Sequence, residues 1–173
     1  MRLAVSNSSP LILLAKTRAL EILTFFYDMI YIPPAVYNEV VEAGIARAYP
    51  DALLIKNLLD EGKIIVKSDF QHSLQGLRDS NDTLHPGEVD AIELAVALEG
   101  NVILLDDEEA RIIARSFNLH VKGTLGLLVD YFNANQIDRD DALKLLNELN
   151  KIMYLSADLY NLIESHLKSI TLP

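Results

Sequence analysis

Cysteine is missing from this chain of 173 residues, and only four histidines are present. Without cysteine the chain has no disulfide, no thiolate metal site and no cysteine nucleophile. The four histidines are scattered and lack the spacing of metal ligands, which argues against a zinc site built on imidazole. The sequence therefore predicts that any metal ion in this protein is bound through oxygen atoms.

Long hydrophobic runs are missing as well. The longest apolar run near the start covers residues 11–15, and the polar pair Ser6-Asn7 follows closely on Met1-Arg2. A secretory hydrophobic region or a transmembrane helix needs a longer apolar run than this. We therefore expect a cytoplasmic protein without a membrane association.

Basic residues are in the minority, with 15 Lys and Arg against 25 Asp and Glu and a net charge of −10. This balance opposes non-specific binding to phosphates, so a nucleic-acid partner would need a local basic rim or a bound cation. The length and the 50% of hydrophobic residues favour one domain with a substantial core. We interpret residues 1–173 as a single domain, with a core at about 1–135 and a C-terminal helical extension at about 136–173.

Short apolar runs of β-forming residues alternate with segments of helical periodicity along the chain. Strands are predicted at residues 3–5, 29–32, 63–66, 102–105 and 119–121. Helices are predicted at 11–16, 19–27, 35–43 with Gly44 closing it, 51–61, 85–100, from 108 onward, 125–132, 138–152 and 156–170. The polar stretch 68–84 predicts a surface loop. This alternation predicts an α/β fold with a parallel sheet of about five strands and helices on both faces.

Polar oxygen ligands stand at the ends of the predicted strands or at the starts of helices. The apolar strand before Asp106 and Asp107 ends abruptly at these two acids, and a helical pattern resumes at Glu108. Ligands of open α/β sheets bind beyond the carboxyl ends of the strands, where such side chains converge. The full candidate set is Asn7, Glu39, Glu88 with Asp90, and Asp106 with Asp107. Oxygen ligands of this kind suit Mg²⁺ or Mn²⁺, which would neutralise a phosphodiester and activate a water molecule.

Structural roles compete with this interpretation at each position. Asp106 also fits a helix N-cap, because Glu109 follows three residues later as in a capping box. Asp107 could be a first-turn acid that faces the helix dipole, although two acids after an apolar strand exceed what capping requires. Ser8 and Ser9 are typical capping residues, and they could instead contact the substrate or support the ligands from behind.

The helix that contains Glu88 allows its two acids to be compared. Glu88 lies four residues before Ile92, so helical spacing places it beside apolar neighbours. Asp90 lies about 200° around the helix from Glu88 and shares a side with Glu93, which indicates a solvated face. Spacing therefore favours Glu88 over Asp90 as the residue that points into the site. Glu39 emerges beside the apolar stripe of its own helix, although surface helices are rich in glutamate.

Arg111 and Arg115 are four residues apart, and Asp107 lies one turn before Arg111. They could form i, i+4 salt bridges on a solvated face, or they could contact phosphate.

Five motifs together carry a family resemblance that covers about residues 3–128: in chain order, they are VSNSSPLILLAK, IPPAVYNEVV, LHPGEVDAIELA, ILLDDEEAR and VKGTLGLL. As a set they resemble the PIN domain, the metal-dependent ribonuclease fold of VapC-type toxins. The resemblance implies a three-layer α/β/α sandwich with C-terminal helices, and hydrolysis of single-stranded RNA with Mg²⁺ or Mn²⁺. Carried over by position, the site residues are Asn7, Glu39, Glu88 or Asp90, and Asp107, with Thr124 as a polar neighbour.

The departure from the family pattern is Asn7, where PIN nucleases usually carry aspartate after the first strand. An amide oxygen can still ligate a hard cation, but it brings no negative charge. The leading hypothesis is a toxin-like ribonuclease with an antitoxin partner and a homodimeric or higher homo-oligomeric state. The alternative is a PIN-like protein that binds RNA or a protein partner without turnover.

Overall fold

The structure is a computed structural model that describes residues 1–70, 84–99 and 102–169. Most of the loop predicted at 68–84 lies outside these residues, although Leu84 at its end is buried. In the described ranges, no helix has the length and apolar character that crossing a membrane requires. The chain divides into two compact units, residues 1–123 and 124–173.

The first unit contains one sheet, which has five strands among the described residues. The strands are β1 (Leu3–Ser6), β2 (Met29–Ile32), β3 (Ile64–Val66), β4 (Val102–Leu104) and β5 (His120–Lys122). They pair in the order β3-β2-β1-β4-β5, and every pair is parallel. The predicted parallel sheet is thus confirmed, although β4 ends at Leu104 instead of residue 105.

Helices precede and follow these strands in alternation. The first unit contains α1 (Ser8–Lys16), α2 (Glu21–Phe26), α3 (Pro34–Tyr37), α4 (Ala43–Ala46), α5 (Pro50–Asp60), α6 (Pro86–Ala97) and α7 (Glu108–Ser116). A π-helical segment, Asn38–Glu42, joins α3 to α4. The predicted start of a helix at Glu108 is confirmed, whereas α1 begins three residues before the predicted residue 11.

Both faces of the sheet are buried, as a three-layer sandwich requires. Strand register places Tyr31, Val5, Ile103 and Val121 in one row across four strands. This row packs into a cluster with Ile92, Leu94, Ala110 and Ala114 of α6 and α7. Side chains alternate between faces along a strand, so the buried neighbours Ala4, Ile30, Ile32 and Leu104 cover the opposite face. The predicted α/β/α arrangement is confirmed.

The helix predicted at 35–43 does not end at Gly44. The chain continues through Gly44 into α4, which ends at Ala46. A Cβ atom on Gly44 would lie 2.6 Å from the Cβ of Ala52, which is fully buried in α5. Glycine is therefore needed here for the close approach of two helices and not for a C-cap, so that prediction is wrong.

The second unit consists of three helices within the described residues: α8 (Thr124–Asn133), α9 (Arg139–Ile152) and α10 (Ala157–Ser169). Asp138 caps α9 by accepting a hydrogen bond from the Asp141 N–H at 2.8 Å. His166 of α10 is hydrogen-bonded to the Asn133 side chain of α8 at 3.1 Å. The amphipathic helices predicted at 138–152 and 156–170 are present, with Leu146 and Leu167 fully buried.

Candidate functional site

The order of the strands places a topological switch between β1 and β4, because the chain adds β2 and β3 on one side of β1 and β4 and β5 on the other. A crevice for ligands forms at such a point, beyond the carboxyl ends of the two strands. Asn7 directly follows β1, and its N–H donates to the Leu104 carbonyl of β4 at 3.2 Å. The chain therefore fixes Asn7 at the switch by backbone pairing.

The side chain of Asn7 is buried, with only 2% of the residue exposed. Asn7 is the N-cap of α1, yet its side chain makes no capping hydrogen bond. Its carboxamide oxygen, Oδ1, is buried and has no hydrogen-bond partner among the described residues. Buried polar atoms are nearly always paired, so an unpaired acceptor at this place needs an explanation.

Ser8 connects the end of β1 to the π-helical segment. Its buried hydroxyl donates a hydrogen bond of 2.6 Å to Oε2 of Glu39. Ser8 is therefore more than a cap, because its hydroxyl holds a carboxylate 31 residues away, as a residue that supports a ligand would. Glu39 itself is exposed, and it lies in a π-helical turn, a local structure that is frequent at functional sites.

Glu88 lies in the first turn of α6, and the residue is only 8% exposed. The His85 N–H donates to its Oε2 at 3.0 Å and fixes the carboxylate. Burial raises the pKa of Glu88 above its ordinary value, and the negative charges of Asp107 and Glu39 raise it further, while the His85 N–H opposes this shift. Glu39, Glu88 and Asp107 therefore share one electrostatic environment.

The burial pattern of α6 differs in part from the sequence prediction. Glu88 is buried and Asp90 is half-buried, in agreement with the comparison made from spacing. Glu93, however, is fully buried, so the predicted solvated face is wrong. The cause is that α6 contacts α3 and α7 as well as β1 and β4, which covers more of its circumference than one stripe.

Asp107 caps α7, since its Oδ1 accepts a hydrogen bond from the Ala110 N–H at 2.9 Å. The sequence also allowed Asp106 as the cap, and the structure places the cap one residue later, directly before the helix that begins at Glu108. Asp107 is exposed, and its second carboxylate oxygen has no hydrogen bond within the described part of the chain. Capping and ligand binding are thus compatible at this residue.

A cleft of about 310 Å³ opens beside these residues. Its lining brings together Asn7, Ser8, Ser9, Ala35, Glu39, His85, Pro86, Gly87 and Glu88. The contribution of His85 was missed by the sequence analysis, although its place directly before Pro-Gly-Glu was a signal. A larger groove of about 750 Å³ lies elsewhere, lined by residues of α1, α2 and α5 and by neighbouring residues. We place the site in the smaller cleft, because the buried acid and the unpaired amide are there.

The remaining candidates lie around β5 and in the second unit. Arg111 and Arg115 both form ion pairs with Glu108, at 3.6 and 3.8 Å, so their salt bridges are present but not at the i, i+4 spacing, and contact with phosphate stays a prediction. Oδ1 of Asp106 and Nη1 of Arg111 both approach Gly123, which follows β5. Thr124 is buried in the second unit, and its role beside the acids stays a prediction.

Comparisons with known proteins give one result. The family model described as DUF3368: PIN domain matches residues 3–169. No curated protein and no solved structure matches the chain. The family match covers nearly the whole sequence, and the parallel α/β/α fold agrees with it. The chain therefore belongs to the PIN-domain family, whose members are generally nucleases that use divalent metal ions.

Proposed function

We propose that this protein is a metal-dependent endoribonuclease that hydrolyses single-stranded RNA. The observation that carries the proposal is the unpaired Oδ1 of Asn7, buried at the switch point near the Glu39 and Glu88 carboxylates. Leaving a buried acceptor unpaired costs about 1–3 kcal/mol. A cation that accepts this oxygen as a ligand removes the cost, so the atom is explained by a metal-bound state.

The donor set fits Mg²⁺ or Mn²⁺. Glu39, Glu88 and Asp107 each use one oxygen in a hydrogen bond within the protein. The second oxygen of each carboxylate has no such bond in the described structure and can serve as a ligand. Together with Asn7 Oδ1 this makes four hard oxygen donors, the type that both ions prefer.

The acids are not assembled into a cage beforehand. Among the described residues, no three Asp, Glu or His side chains form a group that could hold a metal ion as it stands. Burial is the main cause of the raised pKa of Glu88, and repulsion from the charges of Asp107 and Glu39 adds to it. Side-chain rotations that bring the free oxygens together therefore become favourable when a cation is present.

Each residue has a separate role in this proposal. Bound Mg²⁺ or Mn²⁺ supplies the neutralisation of the phosphodiester and an activated water. Glu88 and Asp107 are the principal ligands, held in place by the His85 N–H and by the helix cap. Glu39 is a further ligand that Ser8 orients, and Asn7 is a neutral ligand. We prefer Glu88 to Asp90 because Glu88 lines the cleft.

The motif resemblance supports further proposals about the substrate and the biological role of the protein. It supports single-stranded RNA as substrate, a toxin-like role with an antitoxin partner, a homo-oligomeric state and a cytoplasmic location. These parts rest on the resemblance to VapC-type toxins, whereas the metal site rests on the residues described above.

The test is cleavage of a labelled single-stranded RNA in Mn²⁺ or Mg²⁺ and in EDTA. We expect cleavage that needs the metal and that is abolished in Asp107→Asn and Glu88→Gln. Asp107→Asn keeps a good N-cap residue, so a loss of activity would not come from a frayed helix. Asp140→Asn, which removes an exposed acid of α9, is the control and should retain activity. Equal cleavage in EDTA would contradict the proposal.

A second function is favoured by one observation, the neutral side chain of Asn7 in a site whose acids are not preassembled. With one charge fewer, metal affinity could be too low for turnover, and the protein would bind RNA or a protein partner without cleaving it. RNA binding without cleavage at saturating Mn²⁺ would select this function.

A further inference from the structure

Arg111 stands out among the basic residues of the first unit. Its Nε atom is buried and has no hydrogen-bond partner within the described residues. Glu108 pairs with this nitrogen at 3.6 Å through its Oε2, beyond hydrogen-bond range. The side chain as a whole is 27% exposed, so part of it remains accessible. Arg111 is thus largely packed in place while a donor stays unsatisfied.

This arrangement is costly for the folded protein. An unpaired buried donor destabilises the fold, and an ion pair with the exposed Glu108, 71% accessible, returns little. Within the part of the chain that the structure describes, the buried Nε itself contributes no hydrogen bond to the stability of the fold. Costs of this kind concentrate at functional residues, where a group must be held ready for a ligand.

The position of the guanidinium is set by Gly123. A Cβ atom on Gly123 would lie 2.7 Å from Nη1 of Arg111 and 2.9 Å from Oδ1 of Asp106. Asp106 follows β4, and Gly123 follows β5. The guanidinium therefore lies beyond the carboxyl ends of these two strands, at the same edge of the sheet as Asn7 and Asp107. The missing side chain of Gly123 provides the space that it occupies.

We propose that Arg111 is a phosphate-binding residue that holds the RNA backbone next to the acidic site. This inference rests on the proposed function. It explains how a chain with a net charge of −10 holds RNA, a polyanion, beside the acidic site. A planar guanidinium suits phosphate, because two parallel N–H donors can meet two phosphate oxygens. The metal site attracts the phosphodiester that is cleaved, and Arg111 fixes a phosphate beside it.

Arg115 provides the matched comparison. It lies one turn later on α7, carries the same charge, and pairs with the same acid, Glu108, at 3.8 Å. It is more exposed, with 49% of its side chain accessible. Only Arg111 is packed at the strand ends, so the proposal assigns phosphate binding to Arg111 and not to Arg115.

The experiment measures binding of a fluorescein-labelled single-stranded RNA by anisotropy in EDTA, across a range of KCl concentrations, with thermal melting of each variant. The variants of the full chain are Arg111→Met, Arg115→Met and Gly123→Ala. Methionine keeps much of the packing of the stem and removes only the charged group. Gly123→Ala changes no charge, but its Cβ must displace the guanidinium.

We expect Arg111→Met to weaken RNA binding by about tenfold or more. The slope of log affinity against log salt should become shallower by about 0.7, the value for one phosphate contact on a single strand. Its melting temperature should not fall. Gly123→Ala should weaken binding in the same direction, and Arg115→Met should keep the wild-type slope.

Equal effects of Arg111→Met and Arg115→Met would overturn the inference, because they would indicate only a general loss of charge. So would an Arg111→Met protein that melts lower and binds RNA like the wild type. A wild type that binds RNA through Arg111 but never cleaves it with metal would overturn the nuclease and leave the inference standing. If the wild type cleaves RNA with metal, but Arg111→Met keeps the wild-type affinity and salt slope, the inference is overturned and the nuclease stands. Failure of the wild type to bind RNA in EDTA would overturn the inference alone, and failure to cleave RNA with metal as well would overturn both.

Discussion

Asn7 combines two features that are hard to reconcile with a structural role. It is buried next to acids, yet it makes no side-chain cap and its Oδ1 has no partner in the described structure. A residue chosen for stability at this N-cap would use its oxygen to bind a free N–H of α1. We therefore interpret its orientation as that of a ligand, which makes its neutral charge the main question about this site.

Replacing Asn7 by Asp should raise the affinity for Mg²⁺ or Mn²⁺. A carboxylate close to a divalent ion adds an attraction that solvent only partly screens, and at a fairly buried site one such charge is worth more than about 1 kcal/mol, or roughly fivefold or more in affinity. Without metal the same change should lower the melting temperature, because it adds a charge to acids that already repel one another. Calorimetric metal titration and thermal melting of both proteins measure these effects. If neither quantity changes, Asn7 is not a ligand.

Glu88 gives a pH-dependent prediction. Its pKa in the folded protein is raised above the ordinary value of 4.5, chiefly by burial and then by Asp107 and Glu39. The folded state therefore binds this proton more tightly than the unfolded state does. The stabilisation is fully present below pH 4.5 and is lost as the pH rises through the folded pKa. Above its folded pKa, the ionised Glu88 destabilises the metal-free protein.

Glu88→Gln should consequently melt at a higher temperature than the wild type at neutral pH in EDTA. The amide oxygen can still accept the His85 N–H, so the helix start is kept. The difference in melting temperature should shrink as the pH is lowered toward 4.5, where Glu88 is protonated in the wild type. Glu61→Gln, an exposed control at the end of α5, should show no such convergence. A constant difference at all pH values would contradict this account.

At the scale of elements, β1, β2 and β3 were predictable because each is a short apolar run that ends at a polar residue or before a lysine or a proline. β5, with the sequence His-Val-Lys, is less apolar and lies one residue later than predicted. The helix ends were less predictable, because tertiary packing decides them. The sequence alone could not show that Gly44 meets Ala52, or that α6 is covered on several sides and buries Glu93. The π-helical turn at Asn38–Glu42 has no simple sequence pattern, and neither does the bond from Ser8 to Glu39.

The candidate site was predictable to a similar degree. Parallel strands end at one edge of a sheet, so the convergence of Asn7 and Asp107 followed from their places after β1 and β4. The orientation of each side chain did not follow, because hydrogen bonds such as that from the Ala110 N–H to Asp107 depend on where the helix begins. For the same reason spacing could not separate Arg111 from Arg115, whereas packing against Gly123 does.

The contact between α4 and α5 gives a prediction for an element. Gly44→Ala should lower stability by about 1–3 kcal/mol, because the new Cβ would lie 2.6 Å from a rigid buried Cβ and the helices must separate. Gly87→Ala is the matched control, since its Cβ would meet its nearest neighbour at an ordinary 3.5 Å. Chemical denaturation of both variants measures the difference. Equal stability of the two would show that α4 shifts without cost.

At the scale of the whole molecule, the net charge of −10 works against both the stability of the fold and the binding of the proposed RNA substrate. Like charges destabilise the compact state and repel RNA, and monovalent salt weakens both effects by screening. A divalent ion bound at the acidic cleft would act differently, because it removes repulsion at one place and binds only the folded protein. Metal binding, stability and substrate attraction are then coupled through one site.

This coupling gives the final prediction. The melting temperature should rise with KCl through screening, and it should rise further in MgCl₂ at matched ionic strength, because binding to the folded state adds about 2.7 kcal/mol at a concentration 100 times the dissociation constant. Asp107→Asn should lose much of the additional rise, since it removes a ligand charge while asparagine still caps α7. Asp140→Asn removes the same charge from an exposed position in α9 and should keep the additional rise. Identical melting curves in KCl and MgCl₂ at matched ionic strength would show that Mg²⁺ only screens charge, and the acids of the cleft would then be a cap and surface groups without a resident ion.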